Sequence, residues 1–287
     1  MDESKKKILW LADYDVEHAG GGAQVSDAIL IRKGRSLGYS IFKVNSHAFG
    51  PHIDVFDCDV LVSSNIESMT GKNGDLIDKI SSHKYHVRLE HDSNTYLSQE
   101  KRVRLFSNCK KTFFLTDFHH EFFLNLYGDI FKNVEIVSDP VDPDVFCDFG
   151  ATREDKTLLS GFLHPLKGSY KFFEIAMRNP NRKFVISGWT AHHSIDFLAR
   201  SIGNIEYIGM TKHEDMPALY NKYKDFFYSP DLKEPFCRSI AEATFCGMEI
   251  VTDKAHDIGC LCEIKKYGIE TFKSKCKNAA DDFWNKI

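Results

Sequence analysis

Residues 8–45 read ILWLADYDVEHAGGGAQVSDAILIRKGRSLGYSIFKVN. An apolar run, ILWLAD (8–13), leads through three glycines into a stretch with helical spacing (22–37), then into a second run, SIFKVN (40–45). Apolar runs without polar alternation suit strands covered on both faces, the condition of a parallel strand. Strand, helix, strand is a βαβ unit. The unit recurs. Further strands are expected at DVLVSSN (59–65), YHVRLE (85–90), TFFLT (112–116) and VEIVS (134–138), with helices near 73–81, 97–108 and 117–127. Residues 139–156, DPVDPDVFCDFGATREDK, hold two prolines among many acids and read as a linker. The alternation then restarts with strands TLLSGF (157–162), KFVISGW (183–189), NIEYIG (204–209), DFFYSP (225–230) and EIVTD (249–253). Helices are expected near 168–178, 192–201, 213–222 and 235–247, and the last thirty residues read as amphipathic helix. The predicted fold class is α/β: two Rossmann-like doubly wound domains facing a cleft, with boundaries 1–139 and 140–270 and a C-terminal helix (271–287) that packs back on the first domain. In open α/β sheets ligands sit beyond the C-terminal ends of the strands.

Length and composition agree. A chain of 287 residues exceeds one comfortable core. Hydrophobic residues at 43% and charged residues at 27% exclude disordered and collagen-like classes. Lys and Arg total 37 against 41 acids, a net charge of −4, which excludes a generally cationic nucleic-acid binder and leaves only a local patch. The 23 phenylalanines suit thick cores. No apolar run has the length of a signal-peptide core or a membrane span. The eight cysteines are scattered without a Cys-x-x-Cys pair and read as reduced thiols, so a cytoplasmic protein is expected.

Three stretches carry chemistry. In AGGGAQ (19–24), Gly21 and Gly22 open a helix whose N-terminus favours an anion. The spacing fails the dinucleotide fingerprint, because Val25 stands where a small residue is needed. In GFLHPLKGSYKFF (161–173), Lys167 stands at a helix start, a position suited to anchoring a diphosphate. In SPDLKEPFCRSIAEATFCG (229–247), Glu234 and Glu242 are seven residues apart, and Pro235 suits a first helical position. On that reading the N–H groups of Phe236, Cys237 and Arg238 are open to a phosphate. The two acids are placed to accept hydrogen bonds from sugar and ribose hydroxyls, Glu242 about two turns into the helix. The Asp-x-Asp pairs (Asp13/Asp15, Asp57/Asp59, Asp142/Asp144) and the set His256, Cys260, Cys262 lack a metal-site pattern.

EPFCRSIAEATFCG (234–247) resembles the E-P-F-G-x-x-x-x-E-A-x-A-C-G stretch of the GT-B retaining glycosyltransferases with the Glu, seven residues, Glu motif, the glycosyl transferases group 1 type. VEIVSDPVDPDVF (134–146), LLSGFLHPLKG (158–168) and IEYIGMTKHEDMPALYNKYKDFFYSP (205–230) are similar to further segments of that family, in family order. The resemblance implies a metal-free enzyme that moves a hexosyl or pentosyl group, with retention, from a nucleotide-diphosphate sugar to a hydroxyl of a glycan, a lipid-linked acceptor or a modified DNA base. The second domain then binds the donor and the first the acceptor. Glu242 is implied to hold the ribose, Glu234 the donor sugar, and Lys167 the departing diphosphate. No resident cofactor is implied. Gly188 and Met210 are expected near the base or sugar. His91, with Asp92 beside it in RLEHDSNTY (88–96), is the candidate near the donor sugar, Asp92 as acceptor of a proton.

Two departures stand out. Phe162 replaces the family's strand-end Arg, with Arg238 or His164 as candidate substitutes for its charge. Asp139-Pro140 replaces an Asn-Gly turn. The first motivates an alternative: a catalytically degenerate nucleotide-sugar binding protein, or an epimerase or hydrolase on the same fold. The paired histidines His119/His120 and His192/His193 read as structural or surface residues at helix starts. SQEKRVRLFSNCKK (98–111) carries Lys101, Arg102, Arg104, Lys110 and Lys111, a candidate for weak contact with an anionic membrane surface or DNA. The acceptor's identity and the oligomeric state leave no mark in these motifs.

Overall fold

In the computed structural model, which describes residues 6–17, 20–45, 57–66, 76–93 and 98–287, the chain divides into two units. Unit 1 comprises Met1–Pro140 with Asn278–Ile287, and unit 2 is Val141–Lys277.

Unit 1 holds strands β1 (Lys7–Leu11), β2 (Ser40–Val44), β3 (Val60–Ser63), β4 (His86–Leu89), β5 (Lys111–Phe114) and β6 (Val134–Ile136). They form one parallel sheet in the order β2-β1-β3-β4-β5-β6. Its described helices are α1 (Gly22–Ser36), α2 (Leu76–Ser82), α3 (Gln99–Ser107) and α4 (Asp117–Tyr127). The residues expected to open α2 lie outside the described ones. β1, β3 and β4 are buried along nearly their whole length, which is why they read as unbroken apolar runs. Phe106, Phe114, Phe123 and Phe131 pack under β5 with ring centroids 5.1–6.3 Å apart. Each such buried ring contributes roughly 1.5–3 kcal/mol.

Unit 2 holds β7 (Glu154–Phe162), β8 (Lys183–Trp189), β9 (Ile205–Gly209), β10 (Tyr223–Phe227) and β11 (Glu249–Val251), all parallel, in the order β11-β10-β7-β8-β9. The helices are α5 (Ser169–Arg178), α6 (His193–Ser201), α7 (Met216–Lys222), α8 (Arg238–Phe245), α9 (Gly259–Tyr267) and α10 (Ile269–Asn285). Strand order reverses between β7 and β10 in unit 2 and between β1 and β3 in unit 1, and such switch points are where open sheets receive ligands.

The structure corrects two local expectations. The predicted linker is fastened to unit 2. The Asn221 side chain takes the Phe149 N–H at 2.8 Å and donates to the Cys147 carbonyl at 2.9 Å, Arg153 donates to the Tyr220 carbonyl at 2.7 Å, and Glu154–Lys156 already belong to β7. The helix expected from Pro235 begins only at Arg238. Before it, Glu234 is clamped in extended form: its N–H donates to the Asp257 carbonyl and its carbonyl accepts from the Gly259 N–H, each at 2.8 Å. Phe236 is buried against the Phe272 ring. Proline therefore serves an extended segment here, not a first helical turn.

The last helix serves both units. Phe272 and Cys276 are buried in its first part, and residues from Asn278 onward belong to unit 1. There Trp284 stacks on Tyr39 at 4.9 Å and donates its Nε1–H to the Leu30 carbonyl at 2.7 Å. Gly34 of α1 gives the ring room, since a Cβ there would collide with it. Among the described residues no helix is long and apolar enough to cross a membrane.

Candidate functional site

In unit 2, the two strands that flank the switch point each deliver a charged side chain. β7 ends at Phe162. His164 then caps a 3-10 turn (Pro165–Lys167) by accepting the Leu166 N–H at 3.2 Å. Gly168 follows at φ 85°, and a Cβ there would strike the Ser229 carbonyl. Glycine thus allows the start of α5 to press against the segment after β10. That approach brings Lys167 Nζ to 3.2 Å from Glu234 Oε1 and 3.4 Å from the Tyr228 hydroxyl. Tyr228 donates to the same carboxylate oxygen at 2.5 Å. Burial first, then the Glu234 charge, push the Tyr228 hydroxyl well above its ordinary pKa, so it stays a donor. Glu234 is almost buried, yet a cation and a hydroxyl hold its carboxylate.

Glu242 is the fifth residue of α8, little more than one turn in rather than two. Its carboxylate is buried and meets Arg238 Nη2 at 3.3 Å, His213 Nε2 at 3.2 Å and the Tyr220 hydroxyl at 3.5 Å. His213 is half exposed and lies against the Phe146 ring. The helix is capped by Cys237 in the left-handed region (φ 71°), the place of the family's glycine, and no side chain caps it. Its first-turn N–H groups are those of Cys237, Arg238, Ser239 and Ile240; Phe236 lies outside it. Burial pushes the Cys237 thiol up to about 12, so it is neutral and unreactive.

The two candidate substitutes for the strand-end Arg have partners of their own. Arg238 is buried on Glu242. Burial first, then His192 and Lys167, lower the pKa of His164, leaving it a neutral ring at pH 7. Gly188 is a packing position: a Cβ there would overlap the carbonyl of Gly161 on β7. Met210 stands exposed beyond β9.

In unit 1, Gly21 caps α1 without a side-chain bond and Gly22 begins the helix, which leaves its first-turn N–H groups bare. Ala19 lies outside the described residues. One turn further, Asp27 is buried and accepts from the Ser64 hydroxyl at 3.0 Å. His91, also buried, sits with Nε2 3.4 Å from Asp27 and Nδ1 3.9 Å from Asp139. Burial lowers its pKa, but the hydrogen bond and charge of Asp27, with the charges of Asp139 and Asp92, outweigh it and the net direction is up. Asp139, the departure from Asn, thus supplies a second carboxylate to the imidazole. Asp92 accepts from Asn65 Nδ2 at 2.9 Å, and its N–H donates to Glu90 at 3.2 Å. Glu90 is fully buried on Arg88 at 2.9 Å. Burial would raise its pKa, but the Arg88 and Arg102 charges hold it down.

The basic stretch 98–111 is divided between interior and surface. Arg102 is buried, donates to the Tyr127 hydroxyl at 2.9 Å and lies over the Phe123 ring at 5.0 Å. Arg104 pairs with Asp78 and Glu100, and Lys111 donates to the Lys286 carbonyl. His119 is the third residue of α4, buried between Phe114 and Phe123. Among the described residues no three His, Cys, Asp or Glu side chains form a metal cluster. Asp27, His213, Tyr220 and Tyr228 escaped the sequence reading because each is isolated in its motif and meets its partner only through the fold.

Two parallel-sheet α/β domains of this kind are the architecture of GT-B glycosyltransferase structures. Residues 152–283 match the family model "Glycosyl transferases group 1". No curated protein matches the chain in sequence. Among solved structures it is similar to Anabaena HepE in complex with UDP-glucose (15% identity, 98% of this chain and 91% of that one, TM-score 0.67). It is also similar to a Rickettsia africae glycosyltransferase (13%, 99% and 94%, TM-score 0.63) and to the Arabidopsis thaliana starch synthase IV catalytic domain bound to ADP and acarbose (10%, 91% and 84%, TM-score 0.56). At these identities the likeness is one of fold.

Proposed function

We propose that the chain transfers a sugar, with retention and without a metal, from a nucleotide-diphosphate sugar bound on unit 2 to a hydroxyl acceptor on unit 1. The observation that carries this is the Lys167–Glu234–Tyr228 cluster at the β7/β10 switch point. Lys167 meets the negative charge that develops on the leaving diphosphate, and fixed charge of this kind is a large catalytic contribution. Glu234, held by Tyr228, accepts from the donor sugar hydroxyls, and Glu242 from the ribose. The first-turn N–H groups of α8 face the diphosphate. His91, set between Asp27 and Asp139, donates to the sugar or acceptor. Asp92 takes the acceptor proton. That HepE was solved with UDP-glucose agrees with a nucleotide-sugar donor. Eight free thiols agree with a reducing, cytoplasmic setting.

The test is release of nucleoside diphosphate from a panel of nucleotide sugars with hydroxyl acceptors, the product's anomeric configuration read by NMR. Transfer is expected with retention, unchanged by a chelator. Glu234→Gln is expected to fold normally and lose at least 100-fold in rate. A folded Glu234→Gln enzyme with the wild-type rate refutes its role, and an inverted product refutes the retaining reading.

A further inference from the structure

The C-terminal ends of β7, β8 and β9, three neighbours in the sheet, each end in a large apolar side chain left in water. Phe162 is 37% exposed, Trp189 50% and Met210 74%. Phe162 and Trp189 are direct register partners, with ring centroids 4.6 Å apart. His164 extends the row at 5.6 Å from Phe162, and His192 closes edge-on against it at 4.8 Å. Strands about 4.8 Å apart give the row a length of roughly 10 Å. A contiguous apolar strip at the ligand end of a sheet is costly to leave uncovered and marks a binding surface.

The surroundings select the occupant. The strip is built of rings and a thioether, with no Lys, Arg, Asp or Glu among Phe162, Trp189, Met210, His164 and His192. Lys167 follows five residues after Phe162, and the first-turn N–H groups of α8 lie beyond the neighbouring β10. Beside Met210, the hydroxyls of Thr211 and Ser187 meet at 2.7 Å and are placed to hydrogen-bond a polar ring edge. A flat ring, polar at its edge and joined to an anion, is a nucleoside diphosphate. Resting on the donor reading above, we propose that Phe162, Trp189 and Met210 form a stacking platform for the nucleobase of the bound nucleotide. The chain thus exchanges a diphosphate-binding cation at 162 for an aromatic face. Base–aromatic stacking corresponds to roughly 10- to 100-fold in affinity per base.

Trp189 reports on its own site, because the other tryptophans, Trp10 and Trp284, are buried in unit 1. Its emission, isolated by subtracting the spectrum of Trp189→Ala, is titrated with UDP, GDP, ADP and dTDP, with uridine, and with inorganic pyrophosphate. Calorimetry gives affinities, and circular dichroism checks that the variants fold. The expected result is quenching by at least one nucleoside diphosphate and by high concentrations of its nucleoside. Trp189→Ala or Phe162→Ala should weaken that nucleotide 10- to 100-fold and leave pyrophosphate unchanged. A diphosphate that binds both wild type and Trp189→Ala equally, without quenching, overturns the platform and leaves the donor reading intact. Quenching by a nucleotide sugar but not by its diphosphate assigns the strip to the sugar and overturns it as well. Absence of binding by every nucleotide and nucleotide sugar overturns both.

Discussion

Acid should weaken unit 1 through His119, and replacing that residue isolates the effect. Its ring lies edge-on to Phe114 and Phe123 at 5.1 Å each, and its Nδ1 accepts the Leu115 N–H at 3.4 Å. Burial foremost pulls its pKa to about 3; the Glu90 charge opposes this, and the charges of His91 and Arg102 add to it. The unfolded chain binds the proton below about pH 6.5 and the folded one only near 3, so stability rises with pH across that window and is lost on acidification. Between pH 7 and 5.5 the loss is about 1.2 kcal/mol. His86, also near 3 through burial and then Arg88, adds a loss of the same size and sign. His91 works the other way. Its folded pKa is raised, so its contribution is complete below about 6.5 and disappears as pH climbs through the folded value. His119→Phe keeps the packing. It costs a pH-independent amount for the Leu115 N–H and removes one of the two acid-sensitive contributions. The assay is urea unfolding at pH 7 and 5.5, followed by Trp10 and Trp284 in a Trp189→Phe background. The loss on acidification should be about 1.2 kcal/mol smaller in His119→Phe, a midpoint difference of about 0.6 M urea for a slope near 2 kcal/mol per M. Equal losses in the two proteins would refute the assignment.

Lys167→Ala should lower the transfer rate about 100- to 1,000-fold in a nucleoside diphosphate release assay, the scale of one lost electrostatic contact. Trp284→Ala should cost about 3–5 kcal/mol in urea unfolding of unit 1, and Trp284→Phe much less. Cys237→Gly should be about 1 kcal/mol more stable than Cys237→Ala, because only glycine escapes the left-handed strain at φ 71°; equal stabilities would show that the strain is absent. Gly188→Ala should destabilise unit 2 by about 3 kcal/mol, read on Trp189 emission, since its Cβ overlaps the Gly161 carbonyl.

Parallel strands advertise themselves. ILWLA, TFFLT and KFVISG are mostly apolar, without the strict alternation of a half-exposed strand, because both faces are covered, so the two sheets could be read from sequence. Their ends could not be fixed to the residue. Pro235 suggested a helix start three residues early, because the clamp from Asp257 and Gly259 that keeps Glu234 extended comes from a distant loop. Arg102 in the basic stretch 98–111 shows a related limit: composition gives its sign but not that the ring of Phe123 and the hydroxyl of Tyr127 enclose it. In the candidate site, Lys167 and Glu234 were visible through local motifs. Tyr228 and Asp27 were not, since strand order alone brings them to their partners. Gly188 carried a motif-like setting, yet its neighbour explains it as backbone against backbone.

The bond from Trp284 to the Leu30 carbonyl spans 254 positions of sequence. Such closure is slow, because a long loop must be ordered before the contact stabilises anything. The ribosome delivers α1 with its socket at Gly34 long before the ring that fills it. Unit 2 emerges complete in between. The domain made first is therefore the domain finished last, and its bare α1 surface waits throughout synthesis, a natural point for a chaperone to act and for a truncated product to be recognised.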